Sequence, residues 1–448
     1  MFGEARLRDI ADRVLKRASA DQTEVLISSE ESHLTRFAES SIHQNVTERN
    51  AGVRVRSILG KKTGAASGND TSDEGLARLV RAAEQAASFQ KDDPEFQSLP
   101  SPQPIVAVDA YSEATAAFTP EERAEGVKRI IDRAQQNGLR AAGSFSTVAD
   151  EVLIANSLGI RAYASSTVAN VRTVVMGEDS SGYGAHTDRD VTQLDPDAVG
   201  REAVEKALRS RAPSGIEPGP YTVILEEEAV ADMMRSLAFM GLGALAFQEN
   251  RSFMSGRLGE RITGENITIW DDGHDLRGVP LPFDFEGVPK QKVMLIEKGV
   301  ARNVVYDSYT AGREANRQST GHALPSPSMM GPIPLHVFMG PGTATKEEMV
   351  AATERGIWVT RFHYTNPLHP VKTVLTGMTR DGTFWIENGK ITRPLKNLRF
   401  TQSILEAFGN ADMLGSTLTA VKSLYGTFVS CVPAMRIQGF RFTGATEF

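Results

Sequence analysis

The period of the apolar positions changes several times along the chain, and each change marks an element. From Met1 to Ala20 charged and apolar residues interleave at helical spacing. Leu7, Ile10, Val14 and Leu15 make one face, ringed by Arg6, Arg8, Arg13 and Lys16. Thr23–Ser28, Leu34–Phe37 and Gly52–Leu59 follow in strand style. In the last of these Val53, Val55 and Ser57 point one way, Arg54 and Arg56 the other. Asp73–Ser88 predicts a helix with Leu76, Leu79, Val80 and Ala83 on one face. The proline-rich stretch from Asp92 to Ala107 breaks the pattern. Thr119-Pro120-Glu121-Glu122 combines a cap, a first-turn proline and early acids, and predicts a helix to Gln136. Strands then extend to Gly177, with a turn at Asn156-Ser157-Leu158-Gly159, before a helix over Asp195–Arg209.

Ala212-Pro213-Ser214-Gly215 and Glu217-Pro218-Gly219-Pro220 form the densest breaker cluster. The domain boundary is placed there. Residues 1–215 read as a mixed α/β domain and residues 216–448 as a β-rich one, an α+β protein overall. Beyond the boundary, Tyr221–Leu225 predicts a strand and Glu227–Gly241 a helix. Val293–Tyr306 predicts a hairpin turning at Lys298-Gly299. Asp381-Gly382 predicts a turn between Val374–Met378 and Thr383–Ile386, and Asn388-Gly389 a second turn. A helix at Thr401–Phe408 and a last strand at Ala434–Thr443 complete the reading.

Composition narrows the class. The 448 residues carry a net charge of −7 and no basic run, which argues against nucleic acid as a partner. Cys431 is the only cysteine, so neither an intrachain disulfide nor a thiolate zinc knuckle can form. No stretch approaches the roughly 18 apolar residues of a membrane span, and the N-terminus lacks the apolar core of a signal peptide. The expected location is cytoplasmic, with no membrane contact.

Common catalytic motifs are missing: no Walker-type phosphate loop, no GxSxG and no HExxH. The closest histidines, His363 and His369, sit in a proline-broken loop, Arg361–Pro370, and lack further ligands. The stretch Glu226-Glu227-Glu228-Ala229-Val230-Ala231-Asp232-Met233-Met234 is the informative one. On a helix Val230, Met233, Met234 and Leu237 share a face. Glu228, Asp232, Arg235 and Ser236 lie opposite, as a solvated stripe with an Asp232–Arg235 pair. A carboxylate-only set suits Mg²⁺ or Ca²⁺ rather than Zn²⁺. Phe428, Val429 and Val432 around Cys431 predict a buried structural thiol.

This stretch, followed by Phe253–Glu260, Phe285–Pro289, Leu295–Gly299 and Pro433–Phe440, resembles the TldD/PmbA family in order along the chain. Gly52–Gly68 and Asn156–Gly159 resemble its N-terminal half. Catalytic TldD-type subunits carry HExxxH at this step, with a metal on the histidines and proton handling by the glutamate. Here Glu227 and Asp232 stand at the histidine positions, and only Glu228 matches. That departure is the mark of the PmbA/TldE branch. The resemblance implies a non-catalytic subunit of a peptidase that processes unfolded or modified peptides. It implies a TldD-type partner that carries the zinc, a homo- or heterodimer, and no metal or cofactor in this chain. Glu228 and Asp232 are the candidate catalytic residues. A self-sufficient divergent metallopeptidase and a non-enzymatic peptide-binding scaffold remain alternatives. Gly340-Pro341-Gly342 and Ser326–Pro332 read either as strand-edge peptide contacts or as plain surface loops.

Overall fold

A computed structural model describes residues 1–423 and 428–445. The N-terminal half forms β1 (Gln22–Ala38), β2 (Ser41–Leu59), β3 (Lys62–Gly68), β4 (Arg140–Asn156), β5 (Arg161–Met176) and β6 (Ser181–Asp188). They pair antiparallel as one sheet in the order β3-β2-β1-β4-β5-β6. Period-two alternation sorts the two faces. Val25, Ile27, Val53, Val55 and Leu153 pack under the helices Glu4–Arg17 and Asp73–Ser88. Phe145, Val171 and Val175 pack under Pro120–Gln136 and Pro196–Arg209. Thr119 closes a capping box with Glu122, and Asp195 caps the next long helix.

The opposite face meets the C-terminal half. Leu26, Ile154 and Ala162 pack on Phe283. Arg56 is buried there, 3.3 Å from Glu286 and 3.8 Å from Glu24. The arginine side of β2 is therefore an internal surface, although in sequence it looks like a water-facing one.

The C-terminal half supplies β7 (Gly219–Leu225), β8 (Ile269–Asp271), β9 (Val293–Glu297), β10 (Val300–Ala301) and β11 (His336–Met339). It continues with β12 (Arg355–His369), β13 (Val374–Glu387), β14 (Lys390–Pro394) and β15 (Leu398–Ser403). β16 (Ala411–Leu414), β17 (Thr419–Lys422), β18 (Val429–Val432) and β19 (Met435–Ala445) complete it. One sheet runs β10-β9-β8-β11-β18-β17. In the other, β12, β7, β19, β15 and β13 pair in turn, and β13 pairs back to β12 to close a ring. Phe362, Phe400, Phe440 and Phe442 stack inside it, with neighbouring centroids 4.4 to 5.4 Å apart. The helix Glu227–Gly241 lies between the two sheets. Its Val230, Met233, Met234 and Leu237 share one core with Ile269 and Ile296 of the first sheet and Ile357 and Phe362 of the ring. The α+β class expected from the sequence is what forms.

Three local expectations change. Asp381-Gly382 is not a hairpin turn: β13 runs straight through it. The two residues take φ of 56° and 126° and form a bulge where the β12–β13 register shifts. Residues Thr401–Ser403 extend β15, and the helix begins only at Ile404, capped by Ser403. Arg361–His369 is strand, not loop, with irregular register opposite β13.

Candidate functional site

The site is built where β7 runs into the helix Glu227–Gly241. β7 lies parallel to β12, and the Glu226 N–H donates to the Val359 carbonyl at 3.0 Å. That register brings Trp358, Thr360 and Arg361 alongside the helix start. Glu226, at the N-cap, does not cap with its side chain. Its buried carboxylate accepts from Lys206 Nζ at 2.7 Å and Trp358 Nε1 at 2.5 Å. Burial raises the Glu226 pKa, and Lys206 and Lys346 oppose the shift. Glu227 accepts from Lys346 Nζ at 2.9 Å.

The next residue, Glu228, accepts a hydrogen bond from the Tyr183 hydroxyl at 3.2 Å, and one turn on Asp232 pairs with Arg235 at 3.2 Å. Burial and the neighbouring Asp232 charge push the Glu228 carboxyl up to about 7, against the pull of Arg361 and Arg172. Burial likewise raises Asp232, and Arg235 opposes it. Arg361 donates through Nε to Asp381 at 2.7 Å, and its guanidinium lies over the Tyr183 ring, 4.7 Å from the centroid. Tyr183 comes from β6, so the site joins the N-terminal sheet to the C-terminal half.

The Asp232–Arg235 pair forms as the spacing predicts. The solvated stripe does not, because Tyr183 of β6 together with β12, β17 and β18 covers that face. Glu228, Asp232, Arg235, Arg361 and Tyr183 instead line a cleft of about 40 Å³. That volume holds on the order of three waters. A neighbouring space of about 140 Å³ is lined by Glu226, Glu227, Lys206 and Lys346. Arg361 also lines a cavity of about 970 Å³ between the two halves. This larger space, not the cleft, has room for a chain segment.

The donors do not suit a zinc ion. Glu227 and Asp232, at the two histidine positions, are each engaged by a cation, and His186 of β6 lines the space beside Glu227. Among the described residues no group of three histidine, cysteine or acidic side chains is placed to hold a metal. His363 and His369 lie along β12. His363 sits edge-on to Tyr364, and the exposed His369 accepts from the Lys372 N–H at 3.4 Å. Cys431 is buried on β18 and donates to the Arg277 carbonyl at 3.3 Å. Burial and Asp275 push its thiol up to about 12, the state of an inert cysteine.

Residues 218–444 match the PmbA/TldA metallopeptidase C-terminal domain, residues 23–87 its domain 1 and residues 67–211 its central domain. The chain belongs to the PmbA/TldD family. It is 25% identical over 401 residues to the Metalloprotease PmbA of Escherichia coli O157:H7, covering 84% of this chain and 83% of that one. It is also 25% identical over 394 residues to the Metalloprotease TldD homolog of Haemophilus influenzae, covering 81% and 79%. In fold it is similar to TldE from Thermococcus kodakarensis, with a TM-score of 0.88 at 19% identity, covering 98% of this chain and all of that one. A Thermotoga maritima protein titled a putative modulator of a DNA gyrase gives 0.86 at 18%, with the same coverage.

Against the PmbA/TldD family pattern, the residues that sequence reasoning missed are the ones that engage the carboxylates: Lys206, Lys346, Trp358, Arg361 and Tyr183. One of them carried a signal. In Gly182-Tyr183-Gly184 both glycines press on the helix Pro196–Arg209, where an added Cβ would sit 2.2 Å from the Ala203 carbonyl and 2.5 Å from that of Val199. Strand alternation then turns Tyr183 to the other face, toward Glu228.

Proposed function

We propose that this chain is a PmbA/TldE-like, non-catalytic subunit of a TldD/TldE-type peptidase acting in the cytoplasm on unfolded or modified peptides. The observation that carries the reading is the pairing of Glu227 with Lys346 and of Asp232 with Arg235 at the positions where HExxxH would offer imidazoles. Internal cations do there what a metal would otherwise do for the charge balance. A TldD-type partner then supplies the zinc and the histidines, in a homo- or heterodimeric assembly. The chain divides at residues 215/216, and the cavity of about 970 Å³ between its two halves is the space for substrate. The test is zinc content together with cleavage of an unstructured peptide, with and without a TldD-type protein. The expected result is no stoichiometric zinc on this chain and cleavage only with the partner. Chelator-sensitive cleavage by the chain alone overturns the reading.

A second reading has one observation in its favour. Glu228, pushed up to about 7 beside Asp232, is poised as a general acid–base near neutral pH. Under that reading the isolated chain cleaves peptides, and Glu228→Gln abolishes the activity.

A further inference from the structure

Alternation along the N-terminal sheet turns Ser28 and Glu30 of β1, Asp150 and Val152 of β4 and Ser166 of β5 toward the C-terminal half. They floor a cavity of about 710 Å³. Pro280, Leu281, Phe285 and Leu335 roof it, and His336 and Lys422 line it from the side of the second sheet. The size and the apolar walls are those of a small-molecule site.

Two polar features in this space lack a hydrogen bond or ion pair with the opposite charge. Glu30 and Asp150 stand directly opposite across the β1–β4 ladder. Like charges in that relation destabilise a sheet unless a cation joins them. Burial and Glu30 push Asp150 up to about 7, and Lys422 only partly offsets this. Lys422, at the end of β17, makes no hydrogen bond or ion pair among the described residues. It is held apart from Asp150 while feeling its field. His336 only borders the space: its Nδ1 atom is closed off from it, and its backbone N–H donates to Asp271 at 2.7 Å. Burial and Lys290 keep this imidazole neutral.

An acceptor pair and a separate ammonium set among apolar walls match a zwitterion with apolar side chains. We propose that this cavity binds a short apolar peptide with both termini free, of the size of Leu-Leu. Its carboxylate sits at Lys422, its ammonium at Glu30 and Asp150, and its side chains against Leu281 and Phe285. The proposal rests on the reading above only for the source of such a ligand, a product of peptide cleavage.

The test is calorimetry on the full chain alone at neutral pH with Leu-Leu, N-acetyl-Leu-Leu, Leu-Leu-amide and free leucine. Leu-Leu is expected to bind once per chain. Blocking either terminus removes a charge-assisted hydrogen bond and weakens binding about tenfold or more. Free leucine, which has one apolar side chain fewer to bury, binds more weakly than Leu-Leu. Lys422→Met lowers Leu-Leu affinity by the same factor as the C-terminal amide and makes the two ligands equal. No binding of Leu-Leu at millimolar concentration overturns the proposal, as does equal binding of the free and blocked peptides, or leucine binding as tightly as Leu-Leu. The comparison of ligands on the unaltered chain decides the matter even if the variant fails to fold. No partner and no cleavage enter the measurement, so its failure leaves the subunit reading standing, and the reverse holds too.

Discussion

At the residue scale the chemistry turns on carboxylates that water no longer solvates. Glu228 has a folded pKa of about 7 against an ordinary 4.5, so the folded state favours its protonated form. The stability tied to that preference is fully present below pH 4.5 and is lost as pH rises through 7. Glu228→Gln keeps a neutral partner for the Tyr183 hydroxyl. It is therefore expected to leave stability unchanged near pH 4.5 and to raise it at pH 8 by on the order of 2 kcal/mol, after allowance for the residue's remaining exposure. Urea midpoints of the two proteins across pH 4.5–8 check this. A variant equally destabilised at both ends would mean that the ionised carboxylate is the folded form. In sequence, Glu228 and Asp232 were legible as a pair on one helical face. Their environment was not, because Tyr183 and Arg361, which cover Glu228 and oppose its shift, come from β6 and β12.

At the element scale, local signals predicted what local interactions decide. The helices Asp73–Ser88, Pro120–Gln136 and Glu227–Gly241 stand where their apolar spacing puts them, the first two also capped by Ser72 and Thr119. Asp381-Gly382 failed as a turn signal because its positive φ values are equally those of a bulge. The choice between the two was made by β12, which pairs on both sides of the step. The same long-range control positions Tyr183. Gly182 lies against the backbone of the helix Pro196–Arg209, with Ala203 O at 2.2 Å and Ala207 N at 2.4 Å from where a Cβ would go. Backbone cannot yield as a side-chain tip can, so Gly182→Ala must lift the helix off β6. The expected cost is about 3 kcal/mol, at the severe end for overpacking. Because the same strand carries Tyr183, the variant is also expected to lose the environment of that tyrosine, seen as a shift in its near-ultraviolet signal. Gly444, whose added Cβ meets nothing within 4 Å, is the control, and Gly444→Ala is expected to change neither quantity.

At the scale of the whole molecule, the two halves meet through a surface unusually rich in buried acids. Glu24 and Asp150 are pushed up to about 7, Asp284 to about 8 and Asp307 to about 6, in each case chiefly by burial and then mostly by another carboxylate nearby. Arg56 is the cation closest to Glu24 and Glu286 at this junction. Groups with raised folded pKa values give stability that fades as pH climbs through those values. Buried histidines act in the opposite sense. His322 and His336 are held neutral, so they cost stability only when pH falls below their ordinary value of 6.5. Asp271, held low by Lys290 and His322 against its own burial, stays ionised throughout the neutral range and adds no slope there. Above pH 6.5 the raised acids set the downward trend, and Lys290 and Lys422, whose pKa values burial lowers, act against it. The thermal midpoint is therefore expected to fall between pH 6.5 and pH 8.5 and then to level off. The first protection lost in hydrogen exchange should lie along the junction, at Leu26, Ile154 and Phe283, rather than in the phenylalanine-lined ring. A midpoint that rises over this range would show that these carboxylates are ionised and paired in the folded protein. Arg56 and Lys290 would then be doing more than the geometry assigns to them.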